Sequence, residues 1–282
     1  MRHIAFAAAI VAMTTPAFGQ DWQGDLMEVA QNFHGMIGVT WDSQYIWRGF
    51  DIYDDESAIH LLADISLSDS GFGLSVAGHR ATSGGFEDCE RWDYTAYYQN
   101  DLFGREPFAT RFRFGWVYYD YPELNEDESL NLQEGHLLLS WPNILPVKGL
   151  CPTYELIKMW PAHSDSPLPD SASAWLHVFM LDYGFSLPGI SPKTRTVVKL
   201  HSEIVYNDGL TITPARPRND WRVVYPNPDH DWSHAVFGVS TDLEFICNLV
   251  FTPAIYYQAT LNNTINEDDE EFWASLNLRF VF

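Results

Sequence analysis

The chain has 282 residues, 46% hydrophobic and 15% aromatic, with 38 acidic against 16 basic side chains and a formal net charge of -22. No basic patch of the kind nucleic acid requires is present, and no segment after the first residues is apolar for the roughly 20 positions of a spanning helix. Three cysteines, Cys89, Cys151 and Cys247, exclude a disulfide framework, although one bridge from Cys151 to Cys247 stays open.

Residues 1–20 read as a secretory signal: Arg2 and His3 precede an apolar run from Ile4 to Met13, and small residues lead to Ala17-Phe18-Gly19. Residues 21–33, DWQGDLMEVAQNF, form a short segment ahead of the first strand, and Met27, Ala30 and Gln31 allow a brief helix there. From residue 34 to 282 the apolar residues recur with a period of two.

In ATRFRFGWVYYDY, Phe112, Phe114, Trp116 and Tyr118 share one face while Arg111, Arg113 and Gly115 share the other. The same alternation predicts strands near 35–48, 57–68, 71–81, 90–100, 109–121, 130–141, 150–159, 174–186, 194–206, 233–244, 247–259 and 272–282. These are about twelve segments, each close to the ~10 residues of a tilted membrane strand. The seventh carries Pro152, and the eighth, WLHVFMLDYGF, is apolar on both faces, so its register is ambiguous. The pattern predicts an all-β fold: a transmembrane, antiparallel, up-and-down β-barrel over 34–282.

Connections alternate between short Gly- or Pro-bearing turns and long acidic loops, as expected of a barrel with a periplasmic and an external end. The loops place Asp54, Asp55, Glu56, Glu126, Asp127, Glu128, Glu267, Asp268, Asp269, Glu270 and Glu271 on one rim. Such a rim concentrates cations. No loop matches the Asp-x-Asp-x-Asp-Gly pattern, so a solvated acidic surface is expected rather than a metal site. Loop 207–232 carries Arg216, Arg218 and Arg222 and either folds inward or stays outside. The chain ends on FWASLNLRFVF, whose last strand must pair with the first to leave no edge in lipid. Phe280 and Phe282 resemble the carboxy-terminal signal read by the outer-membrane assembly machinery.

Opposite the apolar face, the predicted strands carry Asp42, Gln44, Asp64, Asp93, Arg111, Arg113, Glu134, His136, Glu155, Lys199, His201, Glu203, His234 and Asp242. Arg111, Arg113, Glu134, Lys199, Glu203 and Asp242 are the constriction candidates. Basic rows facing carboxylates across a water-filled lumen would orient hydrated solutes. Alternatively, Arg113 pairs with Glu134 and a salt-bridged core closes the barrel.

The block VTWDSQYIWRGF resembles the opening of the TorF-type family of outer-membrane porins, through Ser43, Tyr45, Arg48 and Gly49, with Gln44 where that family tends to have Asp. The resemblance covers roughly residues 37 to 100 and implies an outer-membrane barrel with a pore in a Gram-negative bacterium.

The expected function is passive diffusion of small hydrophilic solutes or ions, with cations preferred. Expected partners are outer-membrane lipid, periplasmic chaperones, the barrel-assembly machinery and the solutes, with no nucleic acid and no cofactor. A structural or adhesive barrel is the alternative. A lipid-modifying enzyme fits less well: no His-x-Ser occurs, His201 and Ser202 point to opposite faces, and Ser173 and His177 stand roughly 13 Å apart along a strand.

Overall fold

A computed structural model describes residues 33–67, 70–124, 130–164, 172–187, 196–210, 230–246, 248–266 and 270–282. The signal 1–20, the segment 21–32, most of the 207–232 loop and the Cys247 end of the possible bridge lie outside the described residues. So do Glu126, Asp127, Glu128, Glu267, Asp268 and Asp269 of the acidic rim.

The strands are β1 (Phe33–Asp42), β2 (Ile46–Trp47), β3 (Phe50–Asp51), β4 (Ala58–Leu67), β5 (Phe72–Ala81), β6 (Arg91–Leu102) and β7 (Thr110–Asp120). They continue as β8 (Leu132–Ser140), β9 (Leu150–Pro161), β10 (Trp175–Leu187), β11 (Thr196–Asp208), β12 (His230–Ile246), β13 (Leu249–Thr260) and β14 (Glu270–Val281). All except the small hairpin β2–β3 pair antiparallel with their chain neighbours, and β14 pairs with β1 to close a barrel. The wall therefore has the twelve strands that the alternation predicted.

Closure extends past the last strand. The Gly35 N–H donates to the Phe282 carbonyl and the Phe282 N–H to the Gly35 carbonyl, both at 2.9 Å. A Cβ at Gly35 would stand 2.6 Å from the Asp64 carbonyl and 2.8 Å from the Phe282 ring, so only glycine lets the terminal phenylalanine lie flat against the seam. These two bonds make Phe282 part of the wall.

The two faces separate by polarity. Ile37, Val39 and Trp41 on β1, Leu61 on β4, Leu74 on β5, Phe114 and Trp116 on β7, and Leu276 and Leu278 on β14 are exposed outward. Registers align these rows around the wall, for example Val39 with Leu61 and Leu278. The exterior is apolar, as lipid selects, and the interior holds the ionisable side chains beside a buried apolar cluster that includes Val117, Leu132, Ile157 and Met159. The ambiguous eighth segment is settled by pairing: Val178 opposes Val205, and both are buried inside, while Phe179 faces out.

Most strand ends shift slightly from the predicted bounds, and two differences matter. The FIC turn near 245–247 is mostly strand, because β12 runs on through Ile246. More consequentially, the strand predicted over 35–48 stops at Asp42, and residues 43–57 leave the wall and fold into the barrel. Tyr45 and Trp47 continue the period of two, so the pattern hides the break. The break is made by Arg48 (φ 54) and Gly49 (φ 92), which turn the chain through the left-handed region as the hairpin β2–β3.

Candidate functional site

Segment 43–57 is the centre of the interior. It is tied to the wall at its first residue: the Ser43 N–H donates to the Ala274 carbonyl, and the Ala274 N–H donates to Ser43 Oγ, each at 2.9 Å. Gln44 Nε2 donates to Asp55 Oδ1 (2.6 Å) and Glu271 Oε2 (3.2 Å). Tyr45, Ile52 and Tyr53 are buried with Ala58, Ala81 and Cys89 in one apolar cluster. Burial pushes both the Tyr45 and Tyr53 hydroxyls well above the ordinary phenol range.

Arg91 of β6 anchors the next two residues. Its guanidinium lies 4.2 Å from the Trp47 ring centroid and 4.7 Å from that of Tyr119, and donates to the Tyr45 hydroxyl at 2.9 Å. Asp93 holds the same guanidinium through Nε at 2.7 Å and Nη2 at 3.1 Å. A planar, fully paired cation between two aromatic rings suits Arg and not Lys.

Arg48 reaches further across and donates to Glu134 Oε2 of β8 at 2.8 Å. The Tyr119 hydroxyl donates to the same oxygen at 2.7 Å, and Glu134 Oε1 lies 3.1 Å from His136 Nδ1. Burial works against the Arg48 charge, but the Glu134 carboxylate outweighs it and holds the guanidinium above its ordinary range. On the opposite wall the Gly49 carbonyl accepts from Gln258 Nε2 (2.8 Å) and Asn266 Nδ2 (2.6 Å). A Cβ on Gly49 would stand 2.6 Å from both Asn266 Nδ2 and His234 Nδ1. The segment thus crosses the interior from β6–β8 to β12–β13. Beside it remains a cavity of about 370 Å³, lined by Trp47, Arg48, Gly49, His201, Glu203, His234, Tyr256, Gln258 and Trp273 among others.

The remaining charged groups form belts along the wall. His60 and His79 meet through their Nδ1 atoms at 2.8 Å, His60 Nε2 lies 3.1 Å from Asp42, and His79 Nε2 lies 3.1 Å from Asp93. Lys199 (2.6 Å) and Arg279 (3.1 Å) both hold Asp242. His201 bridges Asp182 (2.7 Å) and Glu203 (3.6 Å). Asp64 accepts from the Tyr97 hydroxyl at 2.9 Å.

The pairing of Arg113 with Glu134, the alternative reading of the interior, is not formed. Arg113 opposes Leu138, not Glu134, and donates instead to Gln99 Oε1 at 2.7 Å while lying over the Tyr97 ring at 4.1 Å. Arg111 stands at the far end of β7 and pairs with Asp101 at 3.4 Å, away from the Arg48 constriction. Of the rim residues, Asp54, Asp55, Glu56 and Glu270 are exposed, and Glu271 turns toward Gln44.

The predicted lumen-facing set omitted Arg48, the last residue of the predicted strand 35–48, and passed over Arg91, Asp182 and Arg279, although they share a face with Asp93, Met180 and Asn277.

One arrangement bears on hydrolysis. A register shift in β12 puts Ser233 Oγ 2.9 Å from His234 Nδ1, with His234 Nε2 4.0 Å from Glu203. The last distance exceeds a hydrogen bond, and Ser233 and His234 are 3% and 2% exposed, so no substrate face is open at the hydroxyl.

No protein-family model matches the chain, and no curated protein matches it significantly. Among solved structures, the chain is similar to the KdgM porin (11% identity, 88% of this chain and 99% of that one, TM-score 0.48). It is also similar to the COG4313 outer membrane channel from Pseudomonas putida F1 (12% identity, 88% and 96%, TM-score 0.45). LpxR from Salmonella typhimurium lies at the same level (8% identity, 88% and 100%, TM-score 0.48). At these scores the likenesses carry no functional weight, and the reading below rests on geometry.

Proposed function

We propose that the chain is an outer-membrane channel of a Gram-negative bacterium for small hydrophilic solutes or ions, narrowed from its external end by segment 43–57 and preferring cations. The observation that carries this reading is the combination of a closed, apolar-faced wall with an ionised interior that the segment narrows around one charged position, Arg48. Twelve strands stand between the eight-stranded barrels filled by side chains and the 16-stranded porins, a width that accommodates a narrow pore. Mature chains would reach the membrane through the signal 1–20, periplasmic chaperones and the barrel-assembly machinery, the last reading Phe280 and Phe282.

Cation preference is supported by the balance near the constriction. Arg48 is surrounded by Glu134, Glu155 and Glu203, while Arg91, the other cation against the segment, is held by Asp93. Carboxylates in excess at a narrow point favour positive ions. The chemistry requires no cofactor and no catalytic residue. The reversal potential of refolded protein in planar bilayers under a KCl gradient tests the preference: a potential of cation-selective sign supports it, and a zero or opposite potential refutes it.

The tight seating of segment 43–57 favours a second reading, a structural or adhesive barrel that stays shut. Folded, heat-modifiable protein that carries no current would establish it.

A further inference from the structure

We propose that Glu134, His136 and Glu155 form a binding site for a divalent first-row transition metal ion inside the barrel, on the side of Arg48 away from the loops. One ligand atom of each residue, two carboxylate oxygens and an imidazole nitrogen, lies within 4.8 Å of the others. The strand geometry builds the cluster. Glu134 and His136 are two apart on β8 and share its inner face, and Glu155 on β9 opposes Leu138, one inner-face position further along.

Three features make this a cation site and not a passing cluster. First, the ligands are oriented from behind. Arg48 and Tyr119 both donate to Glu134 Oε2, which leaves Oε1 turned toward His136 Nδ1. Partners of this kind fix ligand geometry in metal sites. Second, the imidazole is seated by a missing side chain: a Cβ at Gly115 would lie 2.3 Å from His136 Nε2, so the ring rests over the glycine and presents Nδ1 to the cluster. Third, Glu155 makes no hydrogen bond or ion pair among the described residues, although it stands beside Glu134. Among the described residues Arg48 bonds only Glu134.

The donor set selects the ion. An imidazole with two carboxylates suits Zn²⁺, Ni²⁺ or Cu²⁺ over Ca²⁺ and Mg²⁺, which take oxygen alone. Three protein ligands leave positions for water, and the lumen supplies it.

The test uses the full refolded barrel in detergent, stripped with chelator and titrated with ZnCl₂ by calorimetry, with Co²⁺ absorption reporting nitrogen and oxygen ligation. The expected result is saturable binding of one equivalent. His136→Ala and Glu155→Gln each weaken it by at least about tenfold, and CaCl₂ fails to compete. Each variant is scored only after its heat-modifiable gel mobility shows a folded barrel; Glu155→Gln, an isosteric change, keeps the test available if His136→Ala does not fold. Absence of saturable binding, wild-type affinity in both ligand variants, or equal competition by Ca²⁺ would overturn the site. The readout is binding, so a barrel that passes no current tests it equally well.

Discussion

Replacing Glu134 by Gln is the sharpest perturbation of the constriction. The substitution keeps the side-chain volume but removes the charge that receives Arg48 at 2.8 Å, in a pair whose side chains are 21% and 2% exposed. Removing one partner of a buried pair costs about 3–5 kcal/mol. Arg48 retains some solvent, so the lower figure applies, roughly 3 kcal/mol. At about 1.4 kcal/mol per factor of ten, the balance between seated and released segment shifts by roughly a hundredfold. The segment's other anchors, at Ser43, Tyr45 and Gly49, remain. Single-channel recording should therefore show more frequent or larger openings in Glu134→Gln, and proteolysis of intact cells should cut within 43–57 faster than in wild type. Arg48→Gln combined with Glu134→Gln should be less unstable than Glu134→Gln alone, because no unpaired guanidinium is left. Folded Glu134→Gln protein with wild-type conductance, gating and protease resistance would refute the claim that this pair seats the segment.

Three further outcomes follow from the same contacts. Arg91→Lys should lower the unfolding temperature and loosen the segment, since an ammonium cannot fork to Asp93 while lying between Trp47 and Tyr119; thermal unfolding followed by near-ultraviolet dichroism measures it. Gly49→Ala places a methyl 2.6 Å from Asn266 Nδ2 and His234 Nδ1 at a φ of 92, so segment 43–57 should lose protection against hydrogen exchange while the wall strands keep theirs. Gly35→Val should block seating of Phe282, and the variant should accumulate as unfolded, heat-unmodifiable protein on gels, whereas Gly104→Val, which meets nothing within 4 Å, should assemble.

Much of the wall was readable because its two faces meet different solvents. The segment predicted at 57–68 is Ala58–Leu67, and that at 272–282 is Glu270–Val281, since an apolar residue at every second position leaves one register that buries the polar face. Phe112, Phe114, Trp116 and Tyr118 share the outer face for the same reason. The inward fold was not readable. Ser43 to Gly49 alternates like a strand, and what draws it from the wall is Glu134, 86 residues from Arg48, and Asn266, 217 residues from Gly49. No local pattern encodes contacts at that separation. The Arg113 to Glu134 pairing failed on register: parity places both inside, but only the observed alignment shows Glu134 opposite Val117 and Arg113 opposite Leu138.

If segment 43–57 narrows a water-filled channel, removing it must widen the passage. Single-channel conductance of wild-type protein, beside protein in which residues 44–56 are replaced by a short Gly-Ser turn, tests it directly. Steady wild-type conductance that rises clearly once the segment is removed is the predicted result. Equal conductance in the two folded proteins, or none in either, would contradict it.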